Sequence, residues 1–124
     1  MISLNSSPSP PRRGEFWLVR FDPTLGAEIR KTRPALVISS DVIGRLPLKL
    51  VAPVTDWKDY FRTSAYHVRV DPDEENGLIK PSAIDTLQLR GVDHQRFIRK
   101  LGEASEATIR DVLVAITLVI EYPL

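Results

Sequence analysis

Apolar and polar residues change places in short runs along most of the chain, and the period of the pattern shifts once, near the C-terminus. Glu15 to Phe21 (EFWLVRF) is rich in aromatic and β-branched residues, and Ala35 to Ser39 (ALVIS) is a short apolar run; both predict strands. Leu48 to Thr55 (LKLVAPVT) predicts a third, with Pro53 near its end, where a missing backbone donor is tolerated. Tyr66 to Val70 (YHVRV) alternates with period two, the mark of a strand with one wetted face. Asp71 to Gly77 (DPDEENG) reads as a hairpin turn closing on Asn76-Gly77. Beyond it the pattern predicts one or two short strands in Leu78 to Leu89, a brief helical turn over Val92 to Phe97 and a last strand over Ile98 to Gly102.

From Thr108 to Glu121 the spacing becomes helical. Ile109, Val112, Leu113, Ile116 and Ile120 share one face, Ser105 is a good N-cap, and Glu106 suits the N-terminal dipole. Val114, Leu118 and Val119 make the other faces apolar too, so this helix is either sunk in a core or shared with another subunit. Many short strands, frequent turns and one terminal helix predict a mainly β fold with a C-terminal helix (α+β), a small antiparallel barrel with the helix at its edge.

Two polar stretches interrupt this framework. Between the first two strands lies a charged, irregular loop in which Pro23 and Gly26 mark a turn and Pro34 biases Arg33 toward an extended backbone. Glu28, Arg30, Lys31, Thr32 and Arg33 therefore sit on a loop held at both ends by packed strands, a common place for binding or catalytic groups. The second stretch, Asp56 to Thr63 (DWKDYFRT), reads as an exposed loop carrying cations and aromatics together. Residues 1–12, dominated by Ser and Pro, are expected to be a disordered leader, and residues 13–124 a single domain.

Composition narrows the field. At 124 residues, 43% hydrophobic and 27% charged, the chain suits one soluble domain with a real core. A formal net charge of +1 gives no bulk push toward nucleic acid, although local clusters of Arg and Lys still can. The absence of Cys excludes disulfides, thiolate zinc sites and a Cys nucleophile, and it fits a reducing cytoplasm. The N-terminus lacks an apolar signal core, and Val112 to Ile120 falls far short of the roughly 18 apolar residues of a membrane span, so no membrane partner is expected. Asp71, Asp73, Glu74 and Glu75 suggest calcium only superficially: Gly77 comes one place too late for an EF-hand loop, and no metal or other cofactor is expected. His67 and His94 are of the right type for acid–base work, yet nothing in the sequence brings them together.

Five short pieces then stand in order: RGEFWLV, FDPTLGAE, Arg33-Pro34-Ala35 with Val37-Ile38-Ser39, Val51-Ala52-Pro53-Val54-Thr55, and Leu101-Gly102 before Ser105 and the terminal helix. In that order and spacing they resemble the MazF/PemK (Kid-like) toxins of type II toxin-antitoxin systems. The resemblance implies a small barrel of the SH3-like, MazF/PemK/CcdB type and a homodimer. It implies a metal-independent endoribonuclease that cuts single-stranded mRNA at short sequences until a cognate antitoxin protein blocks it. Carried over by position, the catalytic arginine falls on Arg33, the threonine on Thr55 and the glutamate on Glu28. The chain departs from the Gly-Ser-Glu-Gln segment of the family with Gly26-Ala27-Glu28-Ile29, a change that bears on base preference.

The residue types suit that chemistry. Cutting RNA without a metal uses the substrate's 2′-OH as nucleophile, so the protein supplies a proton acceptor, a proton donor and stabilisation for a pentavalent, negative transition state. Arg33 offers a fork of donors matched to phosphate oxygens, Thr55 a hydroxyl, and Glu28 a carboxylate for the 2′-OH. Arg30, Lys31, Lys58 and Arg62 are expected to track phosphates, and Trp57, Tyr60 and Phe61 to stack on splayed bases. Each of these residues alone has an ordinary alternative: a surface charge, a solvated loop carboxylate, a strand-end β-former, an aromatic folded onto the core. Two other functions stay open from sequence, a noncatalytic toxin that binds a protein target in the manner of the gyrase poisons, and an RNA-binding module without turnover.

Overall fold

The computed structural model describes residues 9–43 and 46–123. Among them the chain forms β1 (Glu15–Arg20), β2 (Thr32–Val37), β3 (Leu48–Asp56), β4 (His67–Val70), β5 (Ser82–Asp85), β6 (Arg90–Asp93), β7 (Phe97–Glu103) and α1 (Glu106–Val119). Every pairing is antiparallel, and the sheet runs β4-β5-β3-β2-β1-β7 with β6 beside β3. The mainly β architecture with a terminal helix is the expected one, but the ladder stays open, with β4 and β7 at its two ends.

The long strand β3 makes the sheet wrap. One of its edges carries β2 at Val51–Pro53. The other carries β6 at Leu48–Val51 and then β5 at Val54–Asp56. Thr86 to Leu89 loop out between those two partners, pinned where the Thr86 N–H and hydroxyl both donate to the Tyr66 carbonyl at 2.9 and 2.8 Å. Pro53 thus lies in mid-strand rather than near the end, at the gap between β6 and β5, where its missing N–H is tolerated.

Apolar side chains fill both faces of the sheet, which is why β2 and β3 read as runs rather than as clean alternation. Phe16, Leu36, Ala52 and Val54 pack with Ile84 and with Val112 of α1. Val19, Ala35, Val37 and Val51 pack on the opposite side with Phe21 and Val92. Two further anchors fix the N-terminal edge. Buried Glu15 accepts from the Arg12 N–H (2.8 Å) and the Trp17 indole (2.9 Å) and pairs with Lys100 at 3.0 Å. Burial pushes its pKa up, but these donors outweigh it and hold the carboxyl below its ordinary value. Of the leader expected over residues 1–12, residues 1–8 lie outside the described residues; Pro11 is buried, and Arg12 pairs with Asp41 at 3.5 Å.

Three elements differ from the expected boundaries. β2 begins at Thr32, so Arg33 and Pro34 belong to the ladder, opposite Val19 and Leu18. The acidic turn is part of a longer connection, residues 71–81, organised around buried Asn76. Its Nδ2 donates to the Asp71 carbonyl (2.9 Å), while its Oδ1 accepts from the N–H groups of Leu78 (3.0 Å) and Asp73 (3.2 Å). Where a helical turn was expected, Val92 is buried in β6 opposite Lys49, and only His94–Arg96 make a 3-10 turn.

Ser105 caps α1 as expected, its Oγ accepting from the Thr108 N–H at 3.1 Å. The chain's own sheet covers only a stripe of this helix: Val112 and Ala115 are buried, while Leu113 and Ile120, from the predicted apolar face, are 40% and 63% exposed. No helix among the described residues is long and apolar enough to cross a membrane.

Candidate functional site

The register of the central strands builds the site. Ala35–Pro53 is the last pair of the β2–β3 ladder, and Arg33 and Thr55 each lie two residues beyond it on their strands. Both line one cleft of about 280 Å³ whose other walls include Leu18, Leu78, Lys80 and Arg99. Leu18 and Arg99 meet there because they are partners in the β1–β7 ladder. The Arg33 side chain is half-buried, and its Nε has no acceptor among the described residues. A buried charged donor without a partner is costly, and an anionic acceptor in the cleft would satisfy it.

Around Arg33, among the described residues, the cleft carries two further cations, Lys80 and Arg99, and one carboxylate, Asp56. Asp56 is engaged by Lys80 at 3.0 Å. That hydrogen bond, with Lys58 and Arg33 adding to it, holds the Asp56 carboxyl below its ordinary pKa despite partial burial. Lys80 and Arg99 carried no signal in the sequence beyond their charge: Lys80 enters through the 71–81 connection and Arg99 through a strand far along the chain.

The other predicted residues fall around this cleft rather than in it. Glu28 lines a separate cleft of about 390 Å³ between the β1–β2 loop and the Leu87–Arg90 segment, and its Oε1 accepts from the Leu25 N–H at 2.6 Å. Arg30 and Lys31 are exposed on the same loop, immediately before β2. Lys31 is held in the left-handed region (φ 71°) while its carbonyl accepts from the Phe21 N–H at 2.9 Å, closing the base of the loop. Lys58 and Arg62 are exposed on the turn that includes the 3-10 segment Asp59–Thr63. Trp57 is folded inward, edge-on to Phe61 with the Arg69 guanidinium 4.9 Å above its ring, and the exposed ring of this turn is Tyr60. A wider cleft of about 980 Å³ lies elsewhere, among Trp17, Lys49, Phe97 and the chain entering β1, and holds none of the predicted residues.

The two histidines do not converge: His94 is exposed on its own turn, whereas His67 is buried under the aromatic turn. The His67 ring stacks on Phe61 at 3.8 Å, its Nδ1 meets Ser64 Oγ at 2.7 Å, and its Nε2 lies 3.6 Å from Asp85. Burial lowers its pKa more than Asp85 raises it. A histidine whose folded pKa lies below its unfolded value of about 6.5 takes up its proton more readily when unfolded, so acid destabilises the native state. The stability owed to neutral His67 is therefore expected in full above about pH 6.5 and to fall as the pH drops toward the folded pKa. Urea midpoints between pH 7.5 and 5 check this: His67→Gln is expected to flatten the acid-side decline, and an unchanged slope would remove His67 as its source.

Comparison with known proteins gives this geometry a context. The family model described as PemK-like, MazF-like toxin of type II toxin-antitoxin system matches residues 12–120. Over 112 residues the chain is 30% identical to the endoribonuclease toxin ChpB of Escherichia coli (strain K12), covering 88% of this chain and 93% of that protein. It is 41% identical to endoribonuclease PemK of Escherichia coli over 64 residues, 51% of this chain and 48% of PemK. Its fold is similar to that of MazF from Deinococcus radiodurans, with a TM-score of 0.74 and 21% identity over 92% of this chain and 99% of that one. It is also similar to a mycobacterial endoribonuclease solved in complex with its cognate antitoxin, with a TM-score of 0.72 and 16% identity over 92% and 98% of the two chains.

Proposed function

Because the chain belongs to the family of PemK-like, MazF-like toxins of type II toxin-antitoxin systems, we propose that it is a cytoplasmic endoribonuclease toxin. It cuts single-stranded RNA, mRNA above all, at selected sequences, by attack of the substrate's own 2′-OH and without a metal. The observation that carries this reading is the half-buried Arg33, whose Nε has no acceptor among the described residues, in one cleft with Thr55, Lys80 and Arg99. In the proposed reaction the 2′-oxygen bonds to phosphorus, the 5′-oxygen of the next nucleotide leaves with a proton, and a 2′,3′-cyclic phosphate remains. Arg33 pairs with the nonbridging oxygens and stabilises the extra negative charge of the pentavalent transition state; Thr55 donates a hydrogen bond to the same group.

Glu28 is the proposed base, and its present position sets a condition on that role. It must release the Leu25 N–H and turn from its own cleft toward that of Arg33 before it can take the 2′-OH proton. Arg30, Lys31, Lys58 and Arg62 follow the backbone of the bound strand, so affinity is expected to fall steeply with added salt. Trp57 joins them by stacking on a base once its ring leaves Phe61.

A homodimer and a cognate antitoxin complete the proposal. Leu113, Leu118 and Ile120 of α1 are exposed, which suits a helix shared with a second copy. Light scattering at micromolar concentration tests this, and a monomer would refute it. The catalytic reading is tested with a long unstructured RNA in excess EDTA, mapping the ends of the fragments. Cleavage at a few sites leaving cyclic phosphate is expected. Binding without cleavage would instead mark an RNA-binding module, and absence of both would turn attention to a protein target.

A further inference from the structure

A chain of polar contacts outside the Arg33 cleft runs from the aromatic turn to the β1–β2 loop. Asp85 is buried at its centre, its Oδ1 accepting from the N–H groups of Leu87 (3.1 Å) and Gln88 (3.2 Å). Its Oδ2 accepts from Gln88 Nε2 at 3.2 Å and faces His67 Nε2 at 3.6 Å. Because a carboxylate only accepts, this contact decides which end of the Gln88 amide donates and turns the oxygen outward. That oxygen accepts from the Ile29 N–H at 2.6 Å, and the same Nε2 also reaches the Ala27 carbonyl at 3.4 Å. One carboxamide thus grips the backbone on both sides of Glu28.

The rest of the loop has little else to hold it. Among the described residues its remaining hydrogen bonds are internal, as between Leu25 and Glu28, or lie at its base, where Arg90 and Arg96 reach the carbonyls of Arg20, Phe21 and Asp22. The residues that follow the grip directly are Arg30 and Lys31.

We propose that Gln88, oriented by Asp85, is a positioning residue that latches the β1–β2 loop and so presents Arg30 and Lys31 to the RNA backbone. A latched loop meets its ligand already ordered; an unlatched one must be ordered on binding, which weakens binding and also frees the backbone that carries Glu28. This inference rests on the reading of Arg30 and Lys31 as RNA contacts, and its test separates the two.

The experiment uses the full chain with Gln88→Ala and Gln88→Met, the second keeping side-chain length while losing every hydrogen bond. Amide exchange at Ile29 and steady-state cleavage of a single-stranded oligoribonucleotide are read together, with an Arg30→Ala/Lys31→Ala variant alongside. Both Gln88 variants are expected to raise exchange at Ile29 about tenfold, the worth of a good hydrogen bond. They are also expected to raise KM several-fold and to lower kcat as well, because the same grip flanks Glu28, the proposed base. Unchanged exchange at Ile29 in both variants would overturn the latch. If exchange rises but KM does not, the cation variant decides what has failed. A raised KM there means that the loop binds RNA without needing the latch, which overturns the proposal. An unchanged KM there means that Arg30 and Lys31 do not contact RNA, and the presentation of those cations falls with that reading.

Discussion

Arg33→Ala is expected to lower RNA cleavage by about 10²–10³-fold, the usual cost of removing one donor aimed at developing negative charge, while leaving the fold intact. The second half of that expectation is the more informative. Arg33 spends part of its guanidinium in a buried position where Nε finds no acceptor among the described residues. An unmet buried donor is a local burden on stability, so removing it should leave the thermal midpoint level or slightly higher. A residue kept for packing would behave in the opposite way, with activity and midpoint falling together. Arg33→Lys should recover little activity, because an ammonium keeps the charge but loses the fork that spans two phosphate oxygens. Fragment mapping in EDTA beside a thermal melt reads both quantities. An Arg33→Ala variant that cuts RNA at the parental rate would end the assignment of the cleft as the catalytic centre.

What could be read from the sequence follows the range over which each signal acts. Strand pattern and helix cap are local. β1, β3, β7 and the Ser105 cap therefore fall within a few residues of where the apolar pattern places them. The Asn76-Gly77 pair is local chemistry put to a distant purpose. Its buried amide organises a long connection against β7 instead of closing a two-residue turn, and nothing in DPDEENG distinguishes the two. Arg33 and Thr55 sit together because of β2–β3 register, which the apolar runs at Ala35 and Val51 already imply. Lys80, Arg99 and Gln88 reach their places through the 71–81 connection, the β1–β7 ladder and the excursion between β5 and β6. Those are long-range features with no periodic trace. Glu28 illustrates the remaining gap: sequence puts it on the right loop, but the direction of its side chain depends on a neighbouring N–H and on Gln88 gripping the residues beside it.

Two glycines at the crossing of β7 and the 71–77 turn should prove far less replaceable than a third in the loop. A Cβ on Gly77 would run into the Leu101 carbonyl, and one on Gly102 into the Glu75 carbonyl and the Asn76 backbone. Both collisions are with main chain, which cannot rotate out of the way, and the Glu103 N–H to Glu75 carbonyl bond (2.8 Å) holds the segments together. Gly77 also sits at φ +70°, so alanine there adds left-handed strain of about 1–2 kcal/mol to the clash. Gly26 is the internal control: its φ is +55° but its Cβ would meet open space, so Gly26→Ala should cost only the strain, about 1 kcal/mol. Gly77→Ala and Gly102→Ala are each expected to cost about 3–5 kcal/mol, a large part of what a domain of this size has to lose. Denaturant midpoints of the three variants order these effects. The cleft should register the same damage, because Gly77, Leu78 and Leu101 form part of its wall. Any folded remnant of Gly102→Ala should therefore cut RNA poorly although Arg33 and Thr55 are untouched. A Gly102→Ala protein as stable as the parent would mean that β7 and the 71–77 turn can separate, and that the cleft wall is not set by their contact.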